Sequence, residues 1–172
     1  MLIGVLSDTH DRADAMAAGV TLLRQKGAAF FVHCGDVGSV RVLDYLAGLP
    51  SAFVWGNTDW ERAGLSRYGE MIGVNCYGAF GDLTLDGKNV ALLHGDDTKL
   101  KQKLLAEQRH DYLLQGHSHL FEDRKVGRVR IVNPGALHRA NPKTVAVIDT
   151  GSDSVEFFEI EQGRRVEVER EV

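Results

Sequence analysis

Seven side chains with metal-ligand chemistry stand just beyond five short apolar runs. Ile3 to Leu6 leads into Asp8 and His10, Phe30 to Val32 into Asp36, and Phe53 to Trp55 into Asn57. Val90 to Leu93 leads into His94, and Tyr112 to Leu114 into His117 and His119. A buried strand ends in this way when it delivers a polar group to a site at its C-terminal edge. Asp8 and His10 are two positions apart, as are His117 and His119, so each pair can leave its strand end on one side. Two carboxylates, four imidazoles and one amide oxygen suit manganese, iron, zinc, cobalt or nickel. They suit neither a closed thiolate zinc site nor an all-oxygen calcium site. Seven ligands are too many for one tetrahedral ion and about right for two ions that share a carboxylate, and Asp36 is the one best placed to be shared. Taken singly, a strand-end Asp is more often a turn former or helix cap, and a lone His is more often structural. Turns do not require His at three of five strand ends, so the set reads as one metal site.

The elements that must position these residues alternate. Residues 2–7 read as a strand and Ala13 to about Lys26 as a helix, with Met16, Val20 and Leu23 on its apolar stripe and Gly27 ending it. Phe30–Val32 is the next strand, and Val40–Ala47 a second helix closed by Gly48-Leu49-Pro50. Ala52–Trp55 is the third strand. That alternation favours right-handed crossovers and a largely parallel sheet. Gly64, Gly69 and Gly73 predict a loop with one short turn over residues 60–75. Leu83–Leu85 and Val90–Leu92 flank Asp86-Gly87-Lys88-Asn89, a hairpin by its turn chemistry. Lys99–Gln108 reads as a helix with Leu100 and Leu104 inward, and Tyr112–Leu114 as a strand. A second hairpin turns at Gly127, and strands at Thr144–Ile148, Val155–Ile160 and Val166–Val168 form a closing meander. The expected fold is α/β: two mixed β-sheets packed face to face with helices outside, which also explains strands that are apolar throughout.

A chain of 172 residues reads as one domain, 1–172, able to bury a core without disulfides. Its formal net charge of −4 suggests no nucleic-acid or membrane surface. Cys34 and Cys76 form no CxxC motif, which points to a reducing, cytoplasmic compartment. Met1–Leu6 is read as a core strand instead of a secretory h-region, and no run reaches the roughly 18 apolar residues of a membrane span.

Together, Asp8-Thr9-His10, Gly35-Asp36, Gly56-Asn57, His94-Gly95 and Gly116-His117-Ser118-His119 resemble the ordered motif set of calcineurin-like metallophosphoesterases. The length and the Asn133-Pro134-Gly135 loop resemble the small bacterial and archaeal phosphodiesterase branch that includes the YfcE type. The resemblance implies a four-layer αββα sandwich and a cytoplasmic, two-metal hydrolase. It implies one ion on Asp8, His10, Asp36 and His119 and a second on Asp36, Asn57, His94 and His117. Manganese is the expected metal, with iron, zinc, nickel and cobalt as alternatives. Asn57 would also touch the phosphate. Many members carry a His directly after that Asn as a phosphoryl contact or leaving-group acid, where this chain has Thr58.

Two divalent ions against two carboxylates leave about +2 before water binds, attractive to a phosphate ester, and metal coordination brings a water's pKa from 15.7 to about 7. The expected reaction is therefore phosphoester hydrolysis on a small substrate, with a diester as the first reading. A phosphomonoesterase or nucleotide phosphatase on the same site is the second. A non-catalytic scaffold is the third, since a retromer subunit resembles this fold. Asp59 is expected to support the ligands from behind, and Thr58, His138 and Arg139 to line the substrate mouth. Asp96 and Asp97 are expected as helix caps, His33 as packed structure, and His110 as solvated. The run Arg164 to Glu171 alternates in charge, as a solvated strand face does. Oligomeric state is not legible.

Overall fold

In the computed structural model, which describes residues 1–168, apolar periodicity sorts the chain into four layers. The first sheet contains β1 (Leu2–Leu6), β2 (Phe30–His33), β3 (Ser51–Phe53), β4 (Asn75–Cys76), β10 (Thr144–Asp149), β11 (Ser154–Glu159) and β12 (Arg165–Val166). Their order is β12-β11-β10-β1-β2-β3-β4, with β1 to β4 parallel to one another. The second sheet holds β5 (Phe80–Leu85), β6 (Lys88–Leu93), β7 (Tyr112–Leu114), β8 (Phe121–Val126) and β9 (Val129–Pro134), in the order β5-β6-β7-β9-β8. Within it β6, β7 and β9 run parallel.

Val5, Val32, Ala52 and Val54 of the first sheet pack against Val90, Leu92, Tyr112, Leu114 and Val132 of the second to form the central core. The outer face of the first sheet buries Phe31 and Phe53 beneath α1 (Ala13–Gln25), α2 (Val40–Leu43) and α3 (Arg62–Met71). The outer face of the second buries Ala91, Leu93, Leu113 and Ile131 beneath Leu104 of α4 (Thr98–Glu107). Strands with both faces covered have no reason to alternate, as the apolar runs implied. The expected sandwich is the observed one.

Three expectations need correction. Residues 60–75 contain α3, although Gly64 and Gly69 each cost a helix about 1 kcal/mol relative to Ala. At Gly69 a Cβ would stand 2.8 Å from Phe53 Cε1 and 3.0 Å from the Val74 carbonyl, so the residue permits close helix–sheet approach. The second helix is shorter than Val40–Ala47 and tightens into a 3₁₀ turn over Asp44–Leu46. His110 is buried, not solvated. Its ring meets Phe80 edge-on, and its Nε2 lies 3.2 Å from Asp82.

The first hairpin turns on Asp86 and Gly87, both at positive φ, as a two-residue type I′ turn requires. Asp97 caps α4, accepting from the Leu100 amide at 3.0 Å. The last strand covers Arg165–Val166 and ends before the expected Val168; the part of the expected charged run from residue 169 lies outside the described residues. Among the described residues no helix is long and apolar enough to cross a membrane.

Candidate metal centre

The C-terminal ends of β1, β2, β3, β6 and β7 meet at one edge of the two sheets. Parallel pairing of β1 with β2 continues past the strands as a ladder of backbone bonds. Asp8 N donates to Gly35 O at 3.0 Å, His10 N to Asp36 O at 2.9 Å and Asp11 N to Val37 O at 3.1 Å. The ladder fixes Asp8, His10 and Asp36 relative to one another before any side chain is considered. Asp8, His10, Asp36, His117 and His119 all sit at positive φ, so the chain turns sharply at each ligand position.

Their side-chain atoms then converge. His119 Nε2 lies 3.2 Å from Asp8 Oδ1, and His10 Nε2 lies 3.9 Å from the same oxygen. Asp36 Oδ2 stands between His10 Nε2 at 3.5 Å and His94 Nε2 at 3.3 Å. Asn57 Oδ1 stands between His94 Nε2 at 3.0 Å and His117 Nδ1 at 3.2 Å. All seven expected ligands are therefore linked in one chain of close contacts. The ligand atoms of Asp8, His10 and His119 lie within 4.8 Å of one another, as do those of Asp8, Asp36 and His94.

Each carboxylate has one oxygen engaged and one left over. Asp8 Oδ2 accepts from Ser7 Oγ at 2.6 Å and from the His117 amide at 3.0 Å. Asp36 Oδ1 accepts from the Thr58 amide at 2.9 Å. Asp8 Oδ1 and His10 Nε2 are buried with no hydrogen-bond partner. Orphaned buried polar atoms are costly, and a divalent cation is the group that this donor set would satisfy. The residues present fit a metal.

His94 donates from Nδ1 to the Cys34 carbonyl at 2.8 Å, which leaves Nε2 to face the centre. Burial opposes a charge on His94, but the hydrogen bond and negative charge of Asp36 outweigh it and raise its pKa to about 9. Burial would raise the Asp36 pKa, yet the His94 contact and the Thr58 amide hold it below the usual carboxylate range. Without metal, the pair thus holds a proton where a cation would go.

Asp59, buried, accepts from three backbone amides: Gly56 at 2.8 Å, Gly38 at 2.9 Å and Val37 at 3.2 Å. It ties the turn carrying Asn57 to the turn carrying Asp36. A Cβ at Gly56 would overlap Asp36 Oδ1, so only glycine lets the two turns approach so closely. Thr58 Oγ1 reaches within 3.5 Å of His10 Nδ1, and His33 bonds the Thr9 hydroxyl at 2.6 Å as packed structure. Arg139 is exposed, at positive φ. Asp8, Asp36 and His94 are buried whereas Asn57 and His117 are exposed, so the centre opens to solvent on the Asn57 side.

Two anchors escaped sequence reasoning. Ser7 holds Asp8, and Asn133 Nδ2 donates to Gly116 O at 2.8 Å and Ser118 Oγ at 3.0 Å, bracing the loop that carries His117 and His119. Asn133 could have been suspected from its Pro-Gly turn, but Ser7 carries no such signal.

Comparison with known proteins places the chain in a family and a fold. The model of the calcineurin-like phosphoesterase superfamily domain matches residues 1–153. Phosphodiesterase MJ0936 of Methanocaldococcus jannaschii is 26% identical over 165 residues, covering 93% of this chain and 98% of the relative. Among solved structures, an archaeal phosphodiesterase superposes with a TM-score of 0.86 at 22% identity, covering 92% of this chain and 99% of the other. The E. coli phosphoesterase YfcE gives 0.72 at 20% identity, with 97% of both chains covered. Vps29 of Entamoeba histolytica gives 0.67 at 20% identity, covering 96% of this chain and 98% of that one. These structural likenesses establish the fold.

Proposed function

We propose that this chain, which belongs to the calcineurin-like phosphoesterase superfamily, is a phosphodiesterase that works with two divalent cations, manganese first. The observation that carries the reading is the pair of orphaned buried atoms, Asp8 Oδ1 and His10 Nε2, within a convergent set of carboxylates and imidazoles. Diester over monoester is supported by the phosphodiesterase relative that spans nearly the whole chain.

Asp8, His10, Asp36 and His119 would hold one ion, and Asp36, Asn57, His94 and His117 the other. Asp36 would serve both ions: the Thr58 amide engages its Oδ1, and its Oδ2 faces His10 and His94. Cations there would supply a nucleophilic oxygen at neutral pH and offset phosphoryl charge. The protein's own part is to hold the ligands at fixed separation and leave the Asn57 side open to substrate. Asn57 is exposed enough to contact a phosphoryl oxygen, with Thr58 and Arg139 as further substrate contacts at the mouth. The substrate is a small phosphate ester, and two unpaired cysteines, Cys34 and Cys76, support a cytoplasmic setting.

The scaffold reading draws on the Vps29 likeness alone. Against it stands the presence of all seven residues of the expected ligand set. The test is hydrolysis of a panel of phosphodiesters and monoesters by protein stripped with chelator and then reloaded with Mn²⁺. We expect no turnover when stripped and diester turnover when reloaded. Undiminished hydrolysis after verified metal removal refutes the mechanism, and absence of turnover on any ester after reloading favours the scaffold.

A further inference from the structure

The position after Asn57 is held by Thr58 and not by a histidine, yet another loop brings an imidazole to the same His10 that Thr58 touches. Beyond β9 the chain runs through Pro134-Gly135 to His138, and this loop is fastened at two points. Asn133 Nδ2 holds Gly116 O and Ser118 Oγ, while the amide of the fully buried Leu137 donates to Ser7 O at 3.2 Å. Ser7 directly precedes Asp8, and Gly116 and Ser118 flank His117, so His138 is positioned from both sides of the ligand set.

The His138 ring centroid lies 5.4 Å from that of His10, tilted by 52°. His10 also meets Thr58 Oγ1 at 3.5 Å and the ring of His119 at 5.5 Å. His138 is half-buried, no hydrogen bond engages its ring nitrogens among the described residues, and it is not one of the seven expected ligands. An imidazole carries at least one N–H in either charge state, so its capacity to donate does not depend on titration. An unpartnered donor held beside the expected ligand His10 has an evident acceptor in a phosphate bound there.

We propose that His138 is a substrate contact, donating a hydrogen bond to an oxygen of the bound phosphoryl group and supplying from the 133–138 loop the imidazole that Thr58 does not. The proposal rests on the phosphoesterase reading above. It assigns His138 to the anion and not to the metals.

The experiment compares His138→Leu, which has no donor, with His138→Gln, which keeps one at similar reach. Mn²⁺ content and the affinity for inorganic phosphate are measured by calorimetry on the Mn²⁺-loaded proteins, alongside kcat/KM for an aryl phosphodiester. A hydrogen bond to a charged oxygen is worth enough that its loss weakens phosphate binding about tenfold or more. We expect that loss in the Leu variant, substantial recovery in the Gln variant, and wild-type metal content in both. If both variants bind phosphate within twofold of wild type, or if both lose Mn²⁺, His138 is no phosphate contact and the proposal falls. Wild-type protein that itself neither binds phosphate nor hydrolyses any ester would instead refute the underlying functional reading, so the two failures are distinguishable.

Discussion

Asp59→Ala is the sharpest probe of how the centre is held. The wild-type carboxylate accepts from the amides of Gly56, Val37 and Gly38, with Oδ2 serving two of them and Oδ1 the third. Alanine orphans all three donors in a region where Asp59 is 2% exposed and Val37 fully buried. At about 1–2 kcal/mol for each unsatisfied donor, allowing for water entering the space, the loss is about 3–6 kcal/mol. That is a large share of the roughly 5–15 kcal/mol by which domains are stable. Asp59→Asn keeps one acceptor oxygen but turns an amino group toward an amide, so it should cost about 1–3 kcal/mol. Urea unfolding in chelator measures both variants, and Mn²⁺ calorimetry then asks whether the two turns have drifted. We expect weaker metal binding in Asp59→Ala, because Asp36 and Asn57 no longer share an anchor. A stability loss under about 1 kcal/mol would show that the three bonds are replaceable. A destabilised Asp59→Ala protein with wild-type Mn²⁺ affinity would show that something other than Asp59 sets the ligand spacing.

The remaining predictions concern the ligands and the missing acid. Asp36→Asn should lose more Mn²⁺ than Asp8→Asn in metal analysis, because Asp36 is assigned to both ions and faces both His10 and His94; an Asp36→Asn protein retaining two tight ions would end the shared-carboxylate assignment. In metal-free protein the His94 pKa is raised from 6.5 to about 9, so its stabilisation is fully present below 6.5 and lost as pH rises through 9. The change is about 3 kcal/mol, and urea unfolding between those pH values should register it unless Asp36 is replaced. Mn²⁺ competes with the same proton, so its apparent affinity should climb about tenfold per pH unit up to about pH 9 from this group alone. A positioned general acid is typically worth about 10²–10⁴-fold, which the Thr58 hydroxyl cannot supply. Turnover should therefore fall steeply as leaving-group pKa rises, and Thr58→His should flatten the dependence. A flat wild-type series with chemistry rate-limiting would mean that another residue is the acid.

What was legible in the chain was whatever is encoded locally. A strand end announces itself because the apolar run, the glycine and the ligand are adjacent, as in Val32-His33-Cys34-Gly35-Asp36. What was not legible depends on partners distant in sequence. His110 looked like a solvated residue at a helix end because its burial comes from Phe80 and Asp82 on β5. Gly69 looked like a helix breaker because the reason for it, the Phe53 ring and the Val74 carbonyl, belongs to packing and not to propensity. Ser7 was silent because its function is to hold a neighbour's carboxylate, an act that leaves no pattern.

The backbone adds an argument about function that side-chain chemistry alone does not make. Asp8, His10, Asp36, His117 and His119 all have φ between 46 and 70°, where a residue with a Cβ is strained. Each such position costs of order 1–3 kcal/mol, less for Asp and His than for branched residues, so five together rival the stability of the whole domain. Glycine would relieve the strain at any of them. The chain instead places an expected ligand at each and offsets the cost with the Asp8–Gly35 and His10–Asp36 ladder, the Asp59 anchor and the Ser7 and Asn133 braces. Holding five expected ligands in a disfavoured conformation serves a chain that must present them at set distances.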